Sequence, residues 1–180
     1  MKVTATAISD VKLIEPAVFG DERGFFLESW NAREFAAAGI PDTFVQDNHS
    51  RSVQNVLRGL HYQIGQPQGK LVRVISGEVF DVAVDLRRSS PSFGKWVGAT
   101  LSAENKRMVW VPEGFAHAFL VTSAVAEVLY KTTDYWAPEL ERTLAWDDPS
   151  VAINWPLSET PALSKKDTAG ASLADAETYA

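Results

Sequence analysis

The sequence predicts an all-β protein, either a sandwich or a barrel, and three observations carry this prediction. Short segments rich in β-branched and aromatic residues follow one another from residue 44 to residue 146. Glycine, proline, asparagine and serine separate these segments at short intervals, as turns do. Only one stretch before residue 155 has the pattern of a helix. Many short strands with turn signals between them are typical of these two architectures.

The first third of the chain contains two predicted strands and the predicted helix. Asn31 fits a helix N-cap because Glu34 follows three residues later, and Gly39 is a stop signal. We therefore expect one short helix between Asn31 and Gly39. The two predicted strands are Val11–Ile14 and Gly24–Trp30.

From residue 44 onward the pattern is almost uninterrupted β. The tripeptide Ser76-Gly77-Glu78 lies between β-branched segments and is typical of a tight hairpin. After Pro156 the chain becomes polar and rich in alanine, and we expect the tail from Gly170 to be a short helix or a frayed end. The predicted strands are Phe44–Asn48, Val56–Gln63, Leu71–Ile75, Val79–Leu86, Lys95–Leu101, Met108–Val111, Ala118–Thr122, Val125–Thr132 and Thr143–Trp146.

Length and composition predict one globular domain over residues 1–180, since 46% of the residues are apolar and 22% are charged. No apolar run is long enough for a membrane span, and the first residues lack the pattern of a signal peptide. The absence of cysteine excludes disulfides and thiolate chemistry, and the predicted compartment is the cytoplasm. A net charge of −6 argues against nonspecific nucleic-acid binding, which needs a basic surface. An anionic ligand would therefore need a few clustered cations.

The segment 56–63 is the strongest candidate for chemistry. It brings Arg58 and His61 close together in a chain with three histidines. Strict alternation along a strand would put these two side chains on opposite faces. Gly59 lies between them, and a glycine inside a strand often marks a bulge that shifts the alternation by one residue. We therefore expect both side chains to face one cavity.

His61 is a candidate general base because an imidazole titrates near neutral pH. A structural histidine, hydrogen-bonded within a β core, is the alternative. The Pro-x-Gly-x-x-His run that ends at His117 resembles the second motif of the cupin superfamily, whose fold is a jelly-roll barrel. The earlier cupin metal motif has a second histidine where this chain has Gln63. Two imidazoles make a poor divalent site, so we expect a metal-free barrel. We also expect no other cofactor.

Several cations border the predicted strands, although lysine and arginine usually lie on solvated surfaces. Arg58 is bracketed by Leu57 and Leu60, where a buried guanidinium would be costly without an anion. A diphosphate would suit it, because arginine binds such oxygens in a bidentate manner. The candidate cations are Arg23, Arg58, Lys70, Arg73 and Lys166.

Two further side chains have both a catalytic and a structural interpretation. Tyr130 could deliver a proton, or it could pack in the core with its hydroxyl satisfied. Asp167 could be a surface charge, or it could return to the barrel and hold His61 in one tautomer. We expect His49 to be a loop or surface residue.

Taken together, these segments resemble the dTDP-4-dehydrorhamnose 3,5-epimerase family over nearly the whole chain. Any one segment is only suggestive, whereas all of them in this order are specific. The departures are few: Asn55, Ala118 and Thr143 stand where the family pattern has glycine. The matching segments are 21–28, 46–50, 56–63, 69–74, 77–87, 112–119 and 163–167.

The resemblance implies a metal-free cupin-type jelly-roll dimer that inverts C3 and C5 of a dTDP-linked 4-keto-6-deoxy sugar. It implies that His61 is the base, Asp167 its partner, Tyr130 the acid on the opposite face, and Lys70 the cation near the enolate oxygen. Glu28 would reach the nucleotide bound by the partner subunit. Either Tyr135 or Trp136 would stack on thymine. The other implied binding residues are Arg23, Gln46, Asn48, Arg58, His117, Glu141 and Lys166.

Three alternatives stay open on the sequence. An epimerase that inverts a single carbon in an antibiotic-sugar pathway could use the same residues. A metal-dependent cupin is disfavoured by Gln63. A sugar-nucleotide-binding module would keep the arginines, but it would have no need of the four catalytic candidates together.

Overall fold

The structure is a computed structural model that describes residues 1–40 and 43–180. Over these residues the chain forms thirteen strands and two short helices. They are β1 Lys2–Ala5, β2 Lys12–Glu15, β3 Val18–Asp21, β4 Gly24–Leu27, α1 Ala32–Ala37, β5 Gln46–Val53, β6 Leu57–Gln63, β7 Lys70–Ser76, β8 Glu78–Asp85, β9 Trp96–Ser102, β10 Met108–Val111, β11 Phe115–Val121, β12 Val125–Thr132, β13 Glu141–Thr143 and α2 Lys165–Thr168.

Two antiparallel sheets form the body of the fold. One has the strand order β1-β2-β10-β7-β12-β5, and the other has the order β13-β6-β11-β8-β9. A single buried cluster draws side chains from both sheets, including Val72 and Val128 from the first and Val79 and Phe119 from the second. The sheets therefore close over a common core, and the prediction of an all-β barrel is confirmed.

Strand β10 shows how the alternating pattern fills two layers. Val109 belongs to the cluster between the sheets, whereas Met108 and Trp110 belong to a cluster on the outer side of the first sheet. Helix α1 contributes Phe35 to that outer cluster. The helix begins as predicted, because the Asn31 side chain accepts hydrogen bonds from the first-turn backbone N–H groups.

The chain after β13 covers the outer side of the second sheet. Strand β11 is buried along its whole length because a further apolar cluster, which includes Val151 and Ala176, lies over that side. We expect a short helix or a frayed end from Gly170 on the sequence, whereas this tail runs in turns and isolated bridges. The phenol of Tyr179 holds it by donating to the backbone oxygen of Gln63 at 2.6 Å.

The predicted hairpin at Gly77 is wrong. Strand β7 lies in the first sheet and β8 in the second, so the chain crosses between sheets at this point. Gly77 has φ of 71°, and a Cβ there would lie 1.9 Å from the backbone oxygen of Val125. The turn requires glycine because of this positive φ, as many tight hairpins do. The sequence therefore cannot distinguish a hairpin from a crossover between sheets.

Other differences concern the ends of elements. The predicted strand Gly24–Trp30 ends at Leu27, and it pairs with β3 in a separate two-stranded hairpin. Strand β1 shows little alternation of apolar and polar residues and was not predicted. Of the described residues, none belongs to a helix long and apolar enough to cross a membrane.

Candidate active site

Gly59 interrupts the alternation of β6 and brings two functional side chains to one cavity. The pairing of β6 with β11 changes register between His117 and Phe119. Gly59 has φ of 122°, and a Cβ there would lie 2.5 Å from the Cβ of Ala118. Arg58, which is exposed, and His61 both line one open cavity of about 350 Å³. The prediction that these two side chains share a cavity is confirmed.

The same cavity gathers most of the residues singled out in the sequence. Of the four catalytic candidates, His61, Lys70 and Tyr130 line it. Six of the binding candidates line it as well, and they are Gln46, Asn48, Arg58, His117, Glu141 and Lys166. The cavity draws on both sheets, so strands distant in sequence supply its walls.

Asp167 lies behind His61 rather than in the cavity wall. Ser164 is the N-cap of helix α2 and forms a capping box with Asp167, in which each side chain accepts from the backbone N–H of the other residue. Asp167 Oδ1 lies 2.6 Å from His61 Nε2, and Ser164 Oγ donates to Oδ2 at 2.7 Å. Because a carboxylate only accepts, Nε2 carries the proton and Nδ1 is left to take one.

The electrostatics favour a neutral imidazole beside an ionised carboxylate. Burial lowers the pKa of His61, and the Lys166 and Lys70 charges add to this effect against the opposing influence of Asp167. Burial acts to raise the pKa of Asp167, but hydrogen bonds from His61 and Ser164 outweigh it and lower that pKa to about 2. At neutral pH His61 is therefore a free base with a fixed orientation.

Lys70 is an ammonium group in an almost dry position. The residue is 7% exposed, and its Nζ donates to the backbone oxygen of His61 at 3.1 Å. Burial lowers its pKa to about 8, although Glu141 and Asp81 act in the opposite direction. The group is charged at neutral pH, where low local polarity strengthens its attraction for a developing negative charge.

Tyr130 is a neutral phenol in the same cavity. Burial raises its pKa, with the Arg58 guanidinium opposing this effect. A phenol that stays protonated at neutral pH can donate a proton to a reacting atom.

His117 is backed by a carboxylate that the sequence analysis missed. Its Nε2 lies 2.8 Å from Asp81 Oδ2, and both residues are buried. Asp81 stands among apolar neighbours in β8, and this unusual environment for a carboxylate was the signal that could have revealed it. Two imidazole–carboxylate pairs thus face one cavity. The described residues contain no cluster of three or more side chains suited to holding a metal ion.

Positive charge predominates in the cavity wall of a chain whose net charge is −6. Arg58, Lys70 and Lys166 line it together with one carboxylate, Glu141, which pairs with Lys166 at 2.9 Å. Arg58 Nε donates to Ser52 Oγ at 2.9 Å, which orients the guanidinium. The wall therefore suits an anionic ligand such as a diphosphate.

Comparison with known proteins shows which family the chain resembles. A family model described as dTDP-4-dehydrorhamnose 3,5-epimerase matches residues 5–175. The chain belongs to the dTDP-4-dehydrorhamnose 3,5-epimerase family. The predicted resemblance is thereby confirmed.

Individual members of this epimerase family agree over almost their full length. The chain is 64% identical to a dTDP-4-dehydrorhamnose 3,5-epimerase of Pseudomonas aeruginosa, with 99% of each chain covered. It is 59% identical to one of Salmonella typhimurium, covering 94% of this chain and 93% of the relative. A crystal structure of dTDP-6-deoxy-D-glucose-3,5-epimerase from Legionella pneumophila, in complex with dTDP-4-keto-L-rhamnose, has a TM-score of 0.95 at 55% identity. It covers 98% of this chain and 94% of its own, and the predicted cupin-type jelly roll is confirmed.

Two residues implied by the epimerase resemblance lie away from the cavity. Arg23 is at the tip of the β3–β4 hairpin, where it pairs with Asp21 and its side chain is 86% exposed. Glu28 follows β4 and accepts a hydrogen bond from Asn31 Nδ2 at 3.3 Å. Neither residue lines the cavity of its own chain.

The structure distinguishes the two aromatic candidates for the epimerase ligand. Trp136 lines the cavity and is 57% exposed, whereas Tyr135 lies outside the cavity wall. One further residue was missed by the sequence analysis. Ser50 lines the cavity, and its buried hydroxyl has no hydrogen-bond partner among the described residues.

Proposed function

We propose that this protein inverts C3 and C5 of dTDP-4-dehydro-6-deoxy-D-glucose to give dTDP-4-dehydro-L-rhamnose. One cationic cavity is lined by an imidazole that a carboxylate holds, a buried ammonium group and a phenol. This observation carries the proposal. Family membership supports the same reaction.

The chemistry requires these three groups. A proton on the carbon next to a ketone is acidic only because the anion delocalises onto oxygen, so catalysis needs a base and a positive group near that oxygen. We assign the base to His61 and the positive group to Lys70. Inversion also needs a donor on the opposite face, which we assign to Tyr130. Asp167 keeps His61 in the tautomer that accepts a proton.

The remaining residues of the wall suit the nucleotide part of the substrate. We assign Arg58 and Lys166 to the diphosphate, because guanidinium and ammonium groups pair with its oxygens. Gln46, Asn48, His117 and Glu141 present polar groups for the sugar and the nucleoside. Trp136, on the cavity wall, is our choice for the ring that stacks on thymine.

Product analysis tests the proposal. The 4-keto-6-deoxy sugar nucleotide is incubated with the enzyme, and nuclear magnetic resonance coupling constants of the product report the configuration of each ring carbon. Inversion at both carbons is the expected result. Inversion at one carbon would instead indicate the single-centre epimerase.

The pH dependence of kcat/KM is expected to be bell-shaped. His61 acts as a neutral base, and burial lowers its pKa below the usual imidazole value of 6.5. The increase in activity that accompanies loss of the His61 proton should therefore lie below pH 6.5. Lys70 acts in its charged form, so activity falls as the pH rises through about 8. Initial rates measured between about pH 5 and about pH 10 check both limbs. Activity that stays level well above pH 8 would contradict the role of Lys70.

Tyr130→Phe is expected to uncouple proton exchange from inversion. His61 can still remove a proton and return it to the same face, so deuterium from solvent should enter the sugar. The inverted product should form at least about a hundredfold more slowly. Mass spectrometry and product analysis in deuterated water measure the two rates. Tyr135→Phe, which changes a phenol outside the cavity wall, is the control, and unchanged inversion by Tyr130→Phe would exclude the phenol as the acid.

We propose a homodimer in which the β3–β4 hairpin reaches a partner subunit. The hairpin exposes several large apolar side chains, and such surfaces commonly mark interfaces. Phe19, Phe25 and Phe26 are 65%, 63% and 65% exposed. Dimerisation would explain why Arg23 and Glu28 lie away from the cavity of their own chain. In this arrangement they complete the partner's site.

Mixing two inactive variants is expected to restore activity if Glu28 crosses the interface. His61→Ala and Glu28→Ala should each be inactive or weakly active alone. A mixed dimer has one site that combines an intact His61 with an intact Glu28 from the other subunit. Rates after co-refolding the two chains check this, with each variant refolded alone as the control. Failure to recover activity in a verified mixed dimer would contradict the arrangement.

Three further predictions complete the proposal. The chain is one domain, acts in the cytoplasm, and needs no metal ion or other cofactor. Metal analysis and activity after chelation check the last of these.

A further inference from the structure

Gln63 is a buried amide that ties two loops to the end of strand β6. The residue is 2% exposed and lies two positions beyond His61. Its Nε2 donates to the backbone oxygens of Gln66 at 2.8 Å and Tyr135 at 3.1 Å. Its Oε1 accepts from the backbone N–H of Ala137 at 2.8 Å. Both ends of the amide are thus engaged by backbone groups.

These contacts fix the segment 135–137, which carries Trp136. The segment lies outside the strands, so no ladder sets its backbone. The N–H of Trp136 donates to Gln46 Oε1 at 3.1 Å. Three consecutive residues therefore each bond to one of two glutamine side chains, Gln63 and Gln46. Gln46 itself lines the cavity, whereas Gln63 acts from behind it.

The position of this segment determines where the indole ring can lie. The residue is 57% exposed and still borders the cavity, so burial does little to restrain the ring. If the ring becomes ordered only when a ligand binds, the lost conformational entropy weakens binding. The loss is smaller when the backbone that carries the ring is already fixed. We propose that Gln63 is a positioning residue that holds Trp136 ready to stack on the nucleobase. This inference rests on the proposed function.

A purely structural role would also follow from these bonds. Ala137 is 7% exposed, so loss of the Gln63 acceptor would leave a nearly buried N–H without its partner and would lower stability. The two roles differ in one respect. Positioning acts through Trp136, whereas a loss of stability does not depend on that ring.

A double-mutant cycle on dTDP affinity separates the two roles. The variants are Gln63→Leu, Trp136→Ala and the combination, measured by calorimetry with dTDP. Stacking of a base on an aromatic ring supports a loss on the order of tenfold in affinity for each single variant. The combined variant should bind no more weakly than Trp136→Ala alone. In steady state, Gln63→Leu should raise KM more than it lowers kcat.

Controls keep the outcomes distinct. Gln54→Leu removes an exposed amide that donates to the backbone oxygen of Thr122, and it should leave dTDP affinity unchanged. Gln63→Asn, which shortens the reach of the amide, replaces Gln63→Leu if that variant does not fold. The inference would be overturned if Gln63→Leu lowered dTDP affinity by the same factor in the wild-type and Trp136→Ala proteins. It would also be overturned if Gln63→Leu did not lower dTDP affinity at all. A wild-type protein that fails to bind dTDP would instead overturn the proposed function.

Discussion

His61→Ala is expected to lose most of the turnover while it still binds dTDP. A positioned base contributes on the order of a hundred to ten thousand fold in rate, and the Asp167 contact gives His61 a fixed orientation for that role. In the proposed function the nucleotide is held by other residues, chiefly the cations of the cavity wall, so dTDP binding should survive the substitution. Steady-state rates and calorimetry with dTDP measure the two properties separately.

A matched control for this variant is His49→Ala. His49 also pairs with a carboxylate, Glu127, at 2.8 Å, but its side chain is 51% exposed and does not line the cavity. Because His61→Ala leaves the buried Asp167 without its partner, thermal unfolding of both variants should be compared. His61→Asn, which keeps an N–H donor for Asp167, separates stability from chemistry. Turnover within about threefold of wild type in a folded His61 variant would exclude this residue as the base.

Lys70→Met is expected to give the second large loss, on the order of a hundred to a thousand fold in kcat. Methionine has a similar length but no charge, so the enolate oxygen would lose the cation that stabilises it. Folding should be preserved, because an apolar side chain suits a position that is 7% exposed. Rates under saturating substrate, with unfolding temperatures, check this expectation.

Lys95→Met is the control for a change from lysine to methionine on the exposed surface. It should leave kcat unchanged. If Lys70→Met lowered only the affinity for dTDP and left kcat intact, Lys70 would bind the nucleotide rather than stabilise the intermediate.

Much of the fold was predictable because short segments rich in β-branched and aromatic residues are separated by turn residues. The pattern in β10 assigns Val109 and Trp110 to opposite sides of the sheet, where each meets its own apolar cluster. What alternation cannot assign is the sheet to which a strand belongs. The turn at Gly77 needs glycine in either case, and only the long-range partners of β7 and β8 show that the chain changes sheets there.

For the candidate site, the sequence could identify most of the residues that line the cavity, but not all the residues that hydrogen-bond to them from behind. The glycine in Arg58-Gly59-Leu60-His61 was enough to predict that two side chains share a cavity. The pairing of His117 with Asp81 could not be derived, because it joins neighbouring strands whose register the sequence does not give. The same holds for Gln63, whose three partners lie on two separate loops.

The most direct test of the central claim is the location of deuterium after reaction in deuterated water. The wild-type enzyme is incubated with the 4-keto-6-deoxy sugar nucleotide, and the labelled carbons are identified by nuclear magnetic resonance. The account predicts label at both C3 and C5, with incorporation strongly slowed in His61→Ala. Inverted product without solvent label, or label entering His61→Ala at the wild-type rate, would contradict it.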